Sequence, residues 1–291
     1  MTRAEAETDV TEAELSLIQK SGAGNRIQSL GFRTDMIVHG FGGIIIDRGD
    51  YMVVKTPANP GYFFGNFLLF FRAPSAGSLA KWKLVFRDEF SADPGIKHFT
   101  FLWDTPNESG EIGEFEAEKF EINFSTVLTA KTVSPPPKLN AAIEMRVINT
   151  DDEWQEVTAL QILSGIEGYN PEEYRAFKHA QMLQYRAMSE AGLGAWFGAF
   201  HDGMLVGDLG IYRNGNIGRF QSVETHPKCF RHGICGTLVY RSARYAFEHM
   251  GLTDLVMVAG AHYHAARIYE SVGFNEAMKE YSACWWNGRS A

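Results

Sequence analysis

The hydrophobic and polar pattern is sharpest in the second half of the chain. Ile143, Met145 and Val147 alternate with Glu144 and Arg146, the two-residue period of a strand. Trp154, Val157, Leu160 and Leu163 then recur at helical spacing, and Thr150 or Asp151 can cap that helix, which runs to about Ser164. Pro171 suits the first turn of a second helix reaching Ala191, where Gly192 and Gly194 stop it. Three strands follow over 195–201, 204–212 and 219–225, joined at Asp202-Gly203 and Asn214-Gly215-Asn216, which favour tight hairpins. A helix over 233–250, a buried strand over 254–259, a helix over 264–272 ended by Gly273 and a last strand over 278–286 complete this half.

The first half reads less regularly. Thr11 and Glu14 have capping-box spacing before a short helix, and residues 27–32 suggest another helical piece. Ile44, Ile45 and Ile46 read as a buried strand, with residues 51–55 as its hairpin partner. Residues 63–71, rich in Phe, are strand-like with a bulge at Gly65 and Asn66. An amphipathic helix over 78–90 carries Leu79, Trp82, Val85 and Phe86 on one face, and a strand follows over 98–103. Residues 114–133 alternate well enough for two strands. The six residues Phe63, Phe64, Phe67, Phe70, Phe71 and Trp82 read as core, and Trp285 and Trp286 as packing on an edge strand. Ser134-Pro135-Pro136-Pro137 is stiff and cannot continue a helix or a central strand, so the chain divides there into 1–137 and 138–291. Both halves are mixed α/β.

Composition narrows the function classes. A hydrophobic fraction of 45% and a charged fraction of 21% are those of a folded globular chain. A formal net charge of −8 argues against nucleic acid or an anionic membrane as partner. Three cysteines without framework spacing (Cys229, Cys235, Cys284) argue against a disulfide scaffold, and no zinc-binding spacing occurs. With no apolar run of about 18 residues and no apolar signal core, a cytoplasmic protein without a metal is the expectation.

The chemistry concentrates between Ser222 and Gly236. Strand residues lead through Pro227 into a loop with Gly233 and Gly236, after which Leu238 and Val239 open an apolar helical run. A loop of small residues entering a helix offers free N–H groups and the positive end of the helix dipole, a site for phosphate. No Lys-Ser/Thr pair follows, so a nucleotide-binding P-loop is a poor reading.

The element order of the second half, together with two motifs, resembles the GNAT N-acetyltransferase superfamily. The pyrophosphate signature Gln/Arg-x-x-Gly-x-Gly/Ala falls on Phe230-Arg231-His232-Gly233-Ile234-Cys235, with Phe230 at the Gln/Arg position and Cys235 at the last. The motif Asn-x-x-Ala-x-x-Leu/Ile-Tyr falls on His262 to Tyr269, with His262 in place of Asn, and Gly273-Phe274 follows. The resemblance covers about residues 140 to 286. It implies a C-terminal GNAT acyl-CoA N-acyltransferase fold with an N-terminal mixed α/β lobe, a decayed copy of the same fold as in two-lobed members. That lobe shows no phosphate loop, since Gly40, Gly42 and Gly43 precede a strand, and its expected role is to shape the substrate cleft or a homodimer surface.

The implied reaction is acetyl transfer from acetyl-CoA to a primary amine of a small-molecule acceptor. The pyrophosphate would sit on backbone N–H groups of Arg231, His232, Gly233, Ile234, Cys235, Gly236 and Thr237, with His262 beside the cofactor. Backbone N–H groups of Val223 and Thr225 would face the thioester carbonyl. Tyr269 matches the tyrosine that protonates the departing thiolate. Glu224 is the first choice of base, with His226 and His262 as alternatives; Cys235 is better read as a small buried hydrophobe than as a nucleophile. A non-catalytic acyl-CoA-binding or regulatory protein of the same fold is the alternative, motivated by Phe230 and His262.

Overall fold

A computed structural model describes residues 26–260 and 265–287. The helix expected at Thr11–Glu14 and the position of His262 lie outside the described residues. In the first half come α1 (Leu30–His39), β1 (Ile44–Asp47), β2 (Tyr51–Lys55), β3 (Phe67–Phe70), α2 (Ser78–Glu89), β4 (His98–Trp103), α3 (Gly113–Ala117) and β5 (Glu121–Ala130). In the second come β6 (Glu144–Val147), α4 (Asp151–Gly165), α5 (Pro171–Glu190), β7 (Gly194–His201), β8 (Met204–Asn214) and β9 (Ile217–Thr225). They are followed by α6 (Ile234–His249), β10 (Asp254–Gly260), α7 (Ala265–Val272) and β11 (Asn275–Trp286).

The strands form one sheet in the order β1-β2-β3-β4-β11-β5-β10-β9-β8-β7-β6. The first half runs three antiparallel strands (β1–β3) and the second four (β6–β9), each followed by a crossover helix and a parallel strand: β3 pairs parallel with β4, and β9 with β10. The last strand of each half then pairs antiparallel with the other half, β5 on β10 and β11 on β4, and the two also pair with each other. From β1 to β5 the first half thus repeats the topology of β7 to β11. The exchange also removes the open sheet edge each half would otherwise present at this seam. β11 therefore lies inside the sheet, and Trp285 and Trp286 are not on an edge strand.

Helices cover both faces. On one, α6 packs Leu238, Val239, Ala243 and Ala246 against Phe197, Leu209 and Ile211. On the same side of the first half, Trp82 of α2 stacks on Phe70 at 3.9 Å. On the other face α1 serves both halves: Phe32 and Met36 join Met52, Val54 and Phe67, while Ile37 and Val38 join Tyr185, Trp196 and Tyr212.

Three expectations shift. The helix expected at 27–32 runs from Leu30 to His39, because Met36, Ile37 and Val38 belong to its buried face. Phe63–Gly65 is a single 3-10 turn and the strand starts at Phe67; Asn66 accepts from Thr56 N at 2.8 Å and donates to the carbonyls of Asn59 and Tyr62, both at 3.0 Å, so it closes a loop. Residues 114–133 give one short helix and one long strand, with Lys119 at φ 62° making the turn between them. Of the aromatic residues expected in the core, Phe67, Phe70 and Trp82 are buried, whereas Phe64 is 37% exposed.

The start of α1 is held by carboxyl groups from elsewhere in the chain. Asp104 accepts from Gln28 N and Ser29 N, each at 2.7 Å, and Glu280 of β11 accepts from Phe32 N at 2.9 Å and bonds to the Ser29 hydroxyl. Burial, with Asp35 nearby, pushes Glu280 up to about 8.

Candidate active site

The site begins where two parallel strands part. β9 and β10 are paired only from Ile217–Asp254 to Arg219–Val256, although β9 runs on to Thr225 and β10 to Gly260. Past Arg219, β10 stays with β5 while β9 stays with β8, and a gap opens between them. At the fork, Arg219 is buried and donates to Asp35 of α1 at 2.7 and 3.1 Å, so the N-terminal lobe pins the place where the strands separate.

Beyond the fork β9 bulges. Its register against β8 shifts between Asp208 and Gly210, and Ser222 sits at φ 46°. A non-glycine residue there is strained and is held by its surroundings: Gln161 of α4 donates to Ser222 O at 2.7 Å. His226 N donates to Val206 O of β8 at 3.0 Å. Since successive strand N–H groups point to opposite sides, Thr225 and Val223 turn theirs away from β8, into the gap. Their side chains also line a cleft of about 600 Å³.

The far wall of that cleft is the start of α6. Gly233 caps the helix at φ 74°, and the N–H groups of its first turn have no intrahelical partner. Arg231 at φ 67° and Gly233 curl the preceding loop, and Arg231, Gly233, Ile234, Cys235 and Gly236 all line the cleft. Tyr269 of α7 also lines it and is itself buried. Two members of the expected loop set differ. Thr237 is turned inward: its N–H donates to Gly233 O at 3.1 Å, its hydroxyl to the same oxygen at 2.7 Å, and that hydroxyl accepts from Asn140 N at 2.8 Å. Its donors are used within the protein. His232 is exposed and does not line the cleft; its carbonyl accepts from Asn140 Nδ2 at 3.0 Å. Burial pushes the Cys235 thiol up to about 12, which leaves it protonated.

The inter-lobe linker forms part of the cleft, which its composition did not indicate. Pro136, Pro137 and Lys138 line it, Lys138 Nζ donates to Arg231 O, and a Cβ on Gly233 would stand 2.3 Å from Lys138 O. The first lobe has a counterpart of this loop, also missed in the sequence. Gly77 caps α2 at φ 77°, in the same place between parallel strands, but Glu114 accepts from its N–H at 2.7 Å. A carboxylate of the protein itself takes the position an anion would hold there.

Glu224 is on the other side of β9 from Val223 and Thr225. It is largely buried, which raises it above the usual carboxylate range; Lys178 opposes that rise. The Ser164 hydroxyl is close by but makes no hydrogen bond of good geometry to any described group. Lys178 of α5 is buried and donates to Gln161 Oε1 at 3.2 Å and Gln181 Oε1 at 3.0 Å; burial lowers it, Glu224 and Asp208 raise it. Asp208 of β8 is fully buried, accepts from Gln161 at 2.7 Å and Trp196 Nε1 at 3.1 Å, and is raised well above its ordinary value by burial. Gln161 therefore ties the bulge, Asp208 and Lys178 together. The sequence held a signal for this cluster: Lys178 lies on the buried row of α5 with Tyr174, Gln181 and Tyr185, where an unpartnered lysine is not expected. Aromatic rings from both lobes gather near it: Tyr169 stacks on Tyr174 (5.3 Å) and Trp286 (5.8 Å), and Trp286 meets Phe63 at 5.4 Å.

Among the described residues no helix is long and apolar enough to cross a membrane. No curated protein sequence matches the chain. Residues 154–274 match the model of the acetyltransferase (GNAT) family. The fold is similar to that of a functionally unknown conserved protein from Staphylococcus epidermidis, at TM-score 0.67 and 13% identity over 85% of this chain and 95% of that one. It is also similar to a GCN5-related N-acetyltransferase from Kribbella flavida (TM-score 0.60, 13% identity, 89% and 98% covered). A tandem GNAT protein from the clavulanic acid biosynthesis pathway aligns over 98% of this chain and 97% of its own, at TM-score 0.55 and 13% identity. Residues 154–274 are a domain of the acetyltransferase (GNAT) family, set in a two-lobed chain of mixed α/β fold.

Proposed function

We propose that this protein transfers an acetyl group from acetyl-CoA to a primary amine of a small-molecule acceptor, with residues 138–291 carrying the chemistry and residues 1–137 accessory. The observation that carries the reading is the opened β9–β10 pair, with free N–H groups of the strand at its base and the start of α6 at its mouth. The residues present fit the cofactor. The cleft is lined by apolar side chains such as Pro136, Val223, Ile234 and Ile268 together with Lys138, Arg231 and the start of α6, which suit a pantetheine arm ending in a pyrophosphate.

Acetyl-CoA supplies an activated thioester. The N–H groups of Val223 and Thr225 stand where its carbonyl oxygen would gain charge, and one preorganised donor of this kind is worth about 3 kcal/mol in a studied enzyme. The amine nitrogen bonds to the carbonyl carbon, the C–S bond breaks, Glu224 takes the amine proton and the Tyr269 hydroxyl gives one to the thiolate. Glu224 on the far side of the strand places the amine opposite the cofactor. The acceptor then enters past Tyr169 and Tyr174, beside Phe63 and Trp286.

The test is acetyl-CoA with a panel of primary amines, followed by free-thiol release, in the wild type and Tyr269→Phe. Turnover with one amine, reduced by about 10² or more in the variant with acetyl-CoA affinity kept, is expected. Tight acetyl-CoA binding with no turnover on any amine would favour the non-catalytic reading. Thermal stabilisation by ATP and not by acetyl-CoA would overturn both.

A further inference from the structure

The formally charged side chains lining the cofactor cleft are of one sign. The chain carries a formal net charge of −8, yet Lys138, Arg231 and Arg267 face the cleft with no Asp or Glu among its lining residues. They come from three places: the inter-lobe linker, the loop before α6, and α7. Phe230, at the position where the pyrophosphate signature has Gln or Arg, is 54% exposed and brings no polar group. The linker brings one instead. Lys138 Nζ already donates to Arg231 O, and Asn140 ties the linker to His232 O and Thr237. A Cβ on Gly233 would meet Lys138 O at 2.3 Å, so the glycine lets the linker lie directly on the loop.

Building on the acyl-CoA reading above, we infer that Lys138 is a phosphate-binding residue of the donor site, supplied by the linker between the lobes. An ammonium has three donors, and the Arg231 carbonyl uses one of them. The other two are available to phosphate oxygens lying on the N–H groups of α6. The linker is then part of the cofactor site as well as a spacer. The donor must also bring its own phosphate groups: a CoA thioester fits, and a short pantetheine thioester leaves Lys138, Arg231 and Arg267 without a counter-charge.

The experiment measures dissociation constants of CoA, 3′-dephospho-CoA and pantetheine by calorimetry, for the wild type, Lys138→Met and Lys138→Arg, at low and high salt. The expected result is about tenfold or greater weakening of CoA binding by Lys138→Met. Pantetheine affinity stays unchanged, the salt dependence becomes shallower, and Lys138→Arg restores most of the loss. Weakening of CoA alone places the contact on the 3′-phosphate; equal weakening of CoA and dephospho-CoA places it on the pyrophosphate. Either outcome supports the inference. Unchanged CoA affinity in Lys138→Met, or an equal loss for pantetheine, overturns it and leaves the acyl-CoA reading standing. No CoA binding by the wild type overturns that reading and this inference with it.

Discussion

Gly233 and Gly251 have almost the same backbone angle, φ +74° and +66°, but different surroundings. A Cβ on Gly251 would have nothing within 4 Å, whereas one on Gly233 would lie 2.3 Å from Lys138 O and 3.3 Å from its carbonyl carbon. Alanine at either place incurs left-handed strain of about 1–2 kcal/mol, reduced by about 0.5–1 kcal/mol because the unfolded chain loses freedom. Gly251→Ala should therefore cost about 1 kcal/mol. At Gly233 the obstacle is backbone, and the linker has to move. That strains three hydrogen bonds, from Asn140 N to Thr237 Oγ1, from Asn140 Nδ2 to His232 O and from Lys138 Nζ to Arg231 O, each worth about 1 kcal/mol. Gly233→Ala should cost about 3–4 kcal/mol in all. Urea denaturation gives the stabilities and calorimetry the acetyl-CoA affinities. Gly233→Ala should also bind acetyl-CoA at least about tenfold more weakly, and Gly251→Ala as the wild type does. Equal stability losses and equal affinities in the two variants would refute the claim that the linker is seated on the loop.

Other consequences follow from the carboxyl groups. Glu280 is near 8 when folded against an ordinary value of 4.5, so between these the folded protein holds a proton that the unfolded chain has released. Its contribution is full below the ordinary value and is lost as pH rises toward 8, at up to about 1.4 kcal/mol per pH unit. Glu280→Gln does not titrate; between pH 5.5 and 7.5 the wild type should lose about 2–3 kcal/mol relative to it, and a difference constant with pH in urea titrations would count against the assignment. Glu224→Gln should lower kcat about 10²–10⁴-fold. In the wild type, the acidic limb of the rate profile should lie above the ordinary carboxylate range, as burial dictates, and a profile identical in the variant would exclude Glu224 as the base. Because Glu114 occupies the start of α2, calorimetry should find one acetyl-CoA per chain, and a second site of similar affinity would contradict that.

Local chemistry made most of the second half legible. Thr150 and Glu153 form the capping box that opens α4, Asn170 and Pro171 start α5, and Asp202-Gly203 turns β7 into β8. These signals act within a few residues, so the pattern of side chains suffices to place them. The loop at Gly233 and the row carrying Tyr269 were legible for the same reason. The first half was harder because its units are decided by distant partners. α1 is capped by Asp104 and Glu280, and Asn66 closes a loop only by reaching Thr56, Asn59 and Tyr62.

What the sequence determined by itself was the order of elements in the second half, the family motifs and the loop of small residues at one helix start. The tertiary structure alone decided how the halves combine. The exchange of β5 and β11 depends on pairing strands about 150 residues apart, and no local preference encodes such a partner. The same pairing lays the proline-rich linker on the loop before α6, and α1 against the fork at Arg219. Lys178, Asp208 and Gln161 come together only when α4 and α5 fold over β8, since a buried charge is settled by the groups brought to meet it.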